Sequence, residues 1–128
     1  MVTDPISDFI IRLKNASDAK KASVVVIGSK LTESIAHALK KAGYISSVDK
    51  SKTKREIELG LVYFEGAPRI NGVERISKPS RRLYQKAADI RTFKSGYGNT
   101  IFTTSKGIMT DADAKKSKLG GEILFRIW

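Results

Sequence analysis

Thr103-Thr104-Ser105-Lys106-Gly107-Ile108-Met109-Thr110-Asp111 follows a strand-like run, Thr100 to Thr104, and leads into a helix start at Thr110, where Asp113 stands three residues on as in a variant capping box. A strand, a polar loop and a helix in such quick succession point to a mixed α/β chain. The loop itself carries hydroxyls, an ammonium group and a glycine. Hydroxyls donate to phosphate and ribose oxygens and accept from 2′-OH or base amino groups, the lysine adds charge, and the glycine lets a ligand approach the backbone. No general base or nucleophile partner stands near it in sequence. On local composition alone, a Ser/Thr-rich turn that satisfies its own backbone is the favoured explanation of the run. The rest of the chain decides between the two readings.

Downstream of this loop, Gly120-Gly121 is expected to end the short helix. Glu122 to Trp128 alternates, with Ile123, Phe125 and Ile127 on one face and Glu122, Leu124 and Arg126 on the other. Upstream, Gly96-Tyr97-Gly98-Asn99 reads as a turn and Ala87 to Phe93 as one or two helical turns. Val73 to Ser77 is a short strand, broken by Lys78-Pro79-Ser80-Arg81-Arg82, after which Leu83-Tyr84 resumes an extended course. This mostly β half is preceded by Glu65 to Gly72, whose Gly66, Pro68, Asn71 and Gly72 mark a boundary. The expected domains are therefore 1–66 and 67–128.

The first half reads helix, strand, helix, strand, strand. Asp4 and Pro5 open a helix whose Ile6, Phe9, Ile10 and Leu13 share a face. Ala22 to Ile27 is β-branched and consistent with a buried strand. Leu31, Ile35, Leu39 and Ala42 form the stripe of a second helix ended by Gly43, with Lys40 and Lys41 suited to its last turn. Ile45 to Val48 and Ile57 to Phe64 form a hairpin with a basic tip between Asp49 and Arg55. The fold class is thus α+β: an N-terminal mixed α/β domain and a C-terminal, mostly β domain with a short helix.

Charge narrows the function. Lys and Arg number 24 against 13 acids in 128 residues, a formal net charge of +11. Polyanions are the natural partners of such a chain. The excess is interleaved with apolar periodicity, which indicates folded domains with basic faces and not a disordered arm. The absence of Cys and the single His exclude disulfides and a Cys/His zinc site. The longest apolar run, Val24 to Ile27, is too short to span a bilayer, and the N-terminus lacks a signal-peptide layout, so an unexported soluble chain is expected.

Other constellations carry little. His37 falls on the polar side of the second helix. Ser47 and Lys50 match a serine-lysine spacing found in acyl-transfer enzymes, but the companion motifs are missing. Gly96-Tyr97-Gly98 precedes a strand where a phosphate loop needs a helix. Asp111 and Asp113 are explained by capping. The Lys78 to Tyr84 segment is different. Two guanidinium forks, a lysine, a hydroxyl and an aromatic face converge on a proline-stiffened bend, and Tyr84 is suited to stacking on an unpaired base.

Taken together, four blocks resemble the bacterial form of small-subunit ribosomal protein eight. They are Thr3-Asp4-Pro5-Ile6-Ser7-Asp8 through Arg12 and Asn15-Ala16; Ser29-Lys30-Leu31 through Gly43-Tyr44-Ile45; Ser77-Lys78-Pro79 through Arg82 and Tyr84; and Thr104-Ser105-Lys106-Gly107-Ile108-Met109-Thr110-Asp111 through Gly120-Gly121-Glu122 to Trp128. The last is the family's signature. The resemblance implies two packed domains and direct, early binding to the central domain of 16S rRNA, mainly through the C-terminal part. By position it implies RNA contacts from Thr103, Thr104, Ser105, Lys106 and Gly107, flanked by Lys78, Pro79, Ser80, Arg81, Arg82, Tyr84, Gly121 and Glu122. Thr3, Asp4, Arg12 and Lys30 would add N-terminal contacts. Thr103 departs from the family's frequent serine, keeping the hydroxyl and adding a methyl, and Arg91 to Asn99 is more basic than the family pattern. The resemblance further implies neighbouring small-subunit proteins as partners, a cytoplasmic ribosomal location, no cofactor, no membrane and no enzymatic activity. Some bacterial members also repress translation of their own operon's messenger RNA, which adds that RNA as a candidate partner. The alternative reading is a non-ribosomal RNA-binding module or assembly factor.

Overall fold

The computed structural model describes residues 4–91, 93 and 97–128. Thr3, Gly96 of the expected turn, and Thr92, Lys94 and Ser95 of the basic segment lie outside them. The described chain forms an α+β fold of two compact units, one spanning Pro5–Asn71 and the other Gly72–Trp128 together with Asp4. The sequence reading divides the chain after Gly66. Residues 67–71 stay with the first unit because Ala67–Pro68 pairs with Tyr63–Phe64 and the Arg69 amide donates to the Val62 carbonyl.

In the first unit, α1 (Pro5–Asp18) buries Ile6, Phe9, Ile10 and Leu13, the face its spacing predicts. The short strand β1 (Ser23–Ile27) leads to α2 (Lys30–Ala42), then to the hairpin β2 (Ile45–Lys50) and β3 (Glu56–Leu61), and to the small ribbon β4 (Tyr63–Phe64) and β5 (Ala67–Pro68). The sheet order is β1-β3-β2, antiparallel throughout. Two expectations are corrected here. β1 is an edge strand and only half buried: Val26 points inward while Val25 and Ile27 are 43% and 63% exposed. In α2, Leu31 is exposed and Thr32, Ile35, Ala36 and Leu39 are buried. The cause is the cap. Thr32 accepts from the Ser29 amide and donates to the Ile27 carbonyl, so its hydroxyl is drawn inward and the buried stripe starts one residue later. At the other end Gly43 takes the left-handed conformation (φ 89°), and the Tyr44 amide donates to the Leu39 carbonyl.

The second unit contains β6 (Val73–Arg75), β7 (Tyr84–Gln85), a 3-10 turn at Ala87–Asp89, β8 (Asn99–Thr104), β9 (Gly107–Thr110), α3 (Asp111–Lys116) and β10 (Gly121–Ile127). β10 organises the sheet. It pairs with β8 along its length, with β6 through Phe125–Ile127 and with β7 through Gly121–Glu122. The Ile90, Phe102, Ala114 and Ile123 side chains form a core cluster, with Ile76 and Met109 packed on it. Burying each large apolar side chain of this kind contributes about 1.5–3 kcal/mol.

Three expectations change in this unit. The residues after Lys106 are not a loop leading to the helix; Gly107–Thr110 returns as a strand, with Thr103 opposite Ile108 and Thr104 opposite Gly107. α3 ends at Lys116, and Gly120-Gly121 leads into β10 instead of closing the helix. The alternation of β10 fails at Leu124, which is buried beside Ile123 and Phe125. A bulge accounts for it: Ile123 pairs with Phe102 and Phe125 with Ile101, so Leu124 is the extra residue. Thr110 caps α3 as expected, its hydroxyl accepting from the Asp113 amide.

Candidate nucleic-acid interface

The N-terminal half of β10 collects the candidate residues of the second unit. Glu122 pairs with Tyr84 on one edge and with Thr103 on the other, and Thr103 pairs with Ile108. Directly opposed residues share a face of a sheet, so Tyr84, Glu122, Thr103 and Ile108 form one row across four strands. The next row, Ile123, Phe102 and Met109, faces the core. The first row is therefore the outer one. Tyr84 is 68% exposed, an aromatic face available for stacking.

Gly120 and Gly121 permit this close assembly. A Cβ on Gly121 would lie 2.1 Å from the Thr103 carbonyl oxygen, and one on Gly120 would lie 2.5 Å from that of Gln85. Any side chain at either position would push β8 or β7 away from β10. The role of Gly121 in the site is thus to bring strands together.

At the end of the β8–β9 hairpin the hydroxyls divide their work. Thr104 donates to the Gly107 carbonyl at 2.9 Å and accepts from the Lys106 amide at 3.2 Å, stapling its own turn. Ser105 is exposed, and its hydroxyl has no partner among the described residues; the same holds for the half-buried Thr103 hydroxyl. Gly107 has φ 113°, and a Cβ added to it would meet nothing within 4 Å, so its backbone conformation alone requires glycine and the space above it is open.

The basic bend is fastened to the same strand. Buried Ser77 accepts from the Leu83 amide at 2.8 Å and donates to the Leu83 carbonyl at 3.2 Å, while Lys78 and Arg81 exchange two backbone bonds of 2.9 Å. The Ser77 amide donates to the Ile123 carbonyl, and the Ile123 amide donates to the Leu83 carbonyl. Lys78, Pro79, Ser80, Arg81 and Arg82 are all exposed on the bend that these bonds anchor to β10. Lys78, Arg81, Arg82 and Lys106 have no carboxylate partner among the described residues, so their charge remains available to an anion.

Of the N-terminal candidates, Asp4, Arg12 and Lys30 fall among the described residues. Asp4 is engaged by Arg75, whose Nε and guanidinium nitrogen donate to its two carboxylate oxygens at 3.0 and 3.3 Å; the two side chains are 18% and 12% exposed. Arg75 also donates to the Leu124 carbonyl at the bulge. In the first unit, Arg12 pairs with Asp8 at 2.9 Å on the surface of α1, and Lys30 is exposed at the start of α2. Arg12 also lines an open groove of about 530 Å³ with Asn15, Lys21 and Val25.

Sequence reasoning missed Ile108 and Gly120 as members of this site. The available signal for Ile108 was the two-residue Ser105-Lys106 connection before Gly107, a hairpin pattern in which a returning strand places every second residue outward. His37 is exposed, and the Lys50 ammonium pairs with Glu33 at 3.6 Å. No helix among the described residues is long and apolar enough to cross a membrane.

The model of the family described as ribosomal protein S8 matches residues 4–128. Over 128 residues the chain is 44% identical to the small ribosomal subunit protein uS8 of Nitratidesulfovibrio vulgaris, covering 100% of both chains. It is 41% identical to the uS8 protein of Nitrobacter hamburgensis over 98% of this chain and 97% of that one. For the uS8 protein of Mycoplasmopsis synoviae the identity is 43%, over 99% of this chain and 98% of that one.

Proposed function

The chain belongs to the ribosomal protein S8 family, and from that premise we propose that it is a structural protein of the small ribosomal subunit that binds the central domain of 16S rRNA directly through the N-terminal half of β10 and the turns beside it. The observation that carries this reading is the shared strand. One outward row, Tyr84-Glu122-Thr103, lies beside a hydroxyl-bearing turn and an unpaired basic bend, all held by backbone bonds to β10.

The division of labour follows from the chemistry. Arg81, Arg82, Lys78 and Lys106 neutralise phosphates and set the register of the RNA. Ser105 and Thr103 supply hydroxyls that both donate and accept, suited to ribose 2′-OH groups and base edges, and Glu122 can only accept, suited to a base amino group or a 2′-OH. Tyr84 offers a face for an unstacked base. Such a surface recognises an irregular RNA helix by shape and local chemistry, because the deep groove of regular A-form RNA is closed to side chains. Because these groups sit on a hydrogen-bonded sheet or on turns bonded to it, little ordering is required on binding, which suits a protein that joins the RNA early in assembly. Nothing in the row forms a base, nucleophile and orienter set, so the reading is a binding function and not catalysis.

Hydroxyl-radical footprinting of naked 16S rRNA with and without the protein tests this. Protection confined to an irregular helix of the central domain is expected. Diffuse protection across the RNA would favour a non-ribosomal module that reads charge alone. Repression of translation by the protein would require the messenger of its own operon to present the same contacts, so that messenger should compete with the rRNA fragment one for one; failure to compete removes autorepression and leaves the ribosomal role.

A further inference from the structure

We infer that the turn between β2 and β3, residues 51–55, is a further binding site for the sugar-phosphate backbone of RNA, located in the first unit. The inference rests on the rRNA-binding reading above and extends it to residues outside the β10 surface. Lys52, Thr53, Lys54 and Arg55 are all exposed, and none of the three cations has a carboxylate partner among the described residues. Three unpaired like charges within four residues repel one another, and an approaching polyanion relieves that repulsion.

Two features distinguish this turn from a merely solvated charge run. It is ordered by its own chemistry: the Ser51 hydroxyl accepts from the Thr53 amide at 3.3 Å and the Lys54 amide at 3.1 Å, and the Ser51 amide donates to the Glu56 carbonyl at 3.0 Å. It is also fastened to the start of α2, because the Gly28 amide donates to the Arg55 carbonyl at 2.9 Å. A Cβ on Gly28 would lie only 3.6 Å from the backbone of Arg55 and Glu56. Lys30 follows two residues later, a chain distance of at most about 7 Å. The fold therefore brings the backbone of Arg55 beside the segment that leads into Lys30, so the exposed cations of the turn and Lys30 stand on chain segments that are hydrogen-bonded to each other. The helix macrodipole at the α2 N-terminus adds to the same sign of potential, and the Thr53 hydroxyl and Arg55 fork can each bond phosphate oxygens.

The test uses the full-length chain and 16S rRNA, comparing wild type with Lys52→Gln/Lys54→Gln/Arg55→Gln. If the three cations each neutralise a phosphate, the slope of log affinity against log salt should become shallower by about 2 to 2.7. One backbone segment should also lose hydroxyl-radical protection while the segment bound by the β10 surface keeps its own. An unchanged slope and footprint would overturn the inference and leave the ribosomal reading intact; an acidic protein partner for the turn would produce that same result. A wild-type chain that protects no 16S rRNA would overturn the ribosomal reading and this extension together. Should the triple variant lose its circular-dichroism spectrum, Lys52→Gln/Lys54→Gln preserves the Arg55 side chain, and a slope change of about 1.4 to 1.8 is then expected.

Discussion

Ser105→Ala and Thr104→Ala delete the same chemical group from adjacent residues, yet the structure gives the two hydroxyls different surroundings. The Thr104 hydroxyl makes two bonds inside its own turn, to the Gly107 carbonyl and from the Lys106 amide. A net bond contributes about 0.5–1.5 kcal/mol, and solvent can replace both bonds at this partly open position. Thr104→Ala should therefore lower stability by about 1 kcal/mol, roughly 3 to 5 °C in melting temperature for a chain of this size, with Thr104→Ser restoring it. The Ser105 hydroxyl makes no such bond, so Ser105→Ala should leave stability within about 0.5 kcal/mol of wild type. If that hydroxyl is desolvated against RNA, its loss should cost about 1–3 kcal/mol of binding, roughly 5- to 150-fold in affinity. Specificity should fall more than non-specific affinity, because the lysines and arginines keep the electrostatic term. Thermal melts and filter binding to a cognate 16S fragment, measured on the same samples, separate the effects. A Ser105→Ala protein that melts early but binds as wild type would refute the assignment of this turn to recognition.

The remaining predictions probe the scaffold and the charge. Gly121→Ala should lower stability by about 2 to 3 kcal/mol in urea unfolding, since its methyl would meet the Thr103 carbonyl and overpack the β8–β10 ladder; a loss below about 0.5 kcal/mol would mean the strands tolerate separation. Arg81→Ala/Arg82→Ala should weaken binding to every RNA and make the salt slope shallower by about 1.4 to 1.8; an effect on the cognate site alone would make them readers of sequence. Arg75→Ala should destabilise the second unit by about 2 to 4 kcal/mol by chemical denaturation, because it withdraws the guanidinium from both Asp4 and the Leu124 carbonyl in a largely buried setting. Near-neutral behaviour would show that water replaces the pair.

Elements whose signal is local were legible in the sequence. The α1 face at Ile6, Phe9, Ile10 and Leu13, the Gly43 stop and the Thr110 cap each depend on spacing or on one residue's backbone preference, and each appears in the structure. What escaped depends on pairing between distant segments. Leu124 is buried because β10 gains a residue against β8, a register event that alternation within one strand cannot report. Val25 and Ile27 are exposed because β1 lies at a sheet edge, and β-branched composition does not distinguish an edge from a centre. Leu31 yields its inward position to Thr32 because a polar side chain satisfies the helix start and the preceding carbonyl together.

The same distinction runs through the candidate site. The residue types suited to RNA could be read directly: cations, hydroxyls and an aromatic. Their convergence could not, since Tyr84, Glu122 and Thr103 meet only because β10 pairs with β7 on one edge and β8 on the other. The glycines show how sequence encodes that convergence without displaying it. Gly121 offers no functional group, and in the chain it looks like a helix stop; in the fold it is the position at which two strands come closer than any side chain would allow. Recognition chemistry and strand approach are therefore coupled at β10. A substitution that widens the β8–β10 ladder should displace the Thr103 hydroxyl and the Ser105 turn together, so affinity should fall even though every side chain proposed to contact RNA is retained. On the proposed reading, backbone spacing joins charge in setting the affinity for RNA.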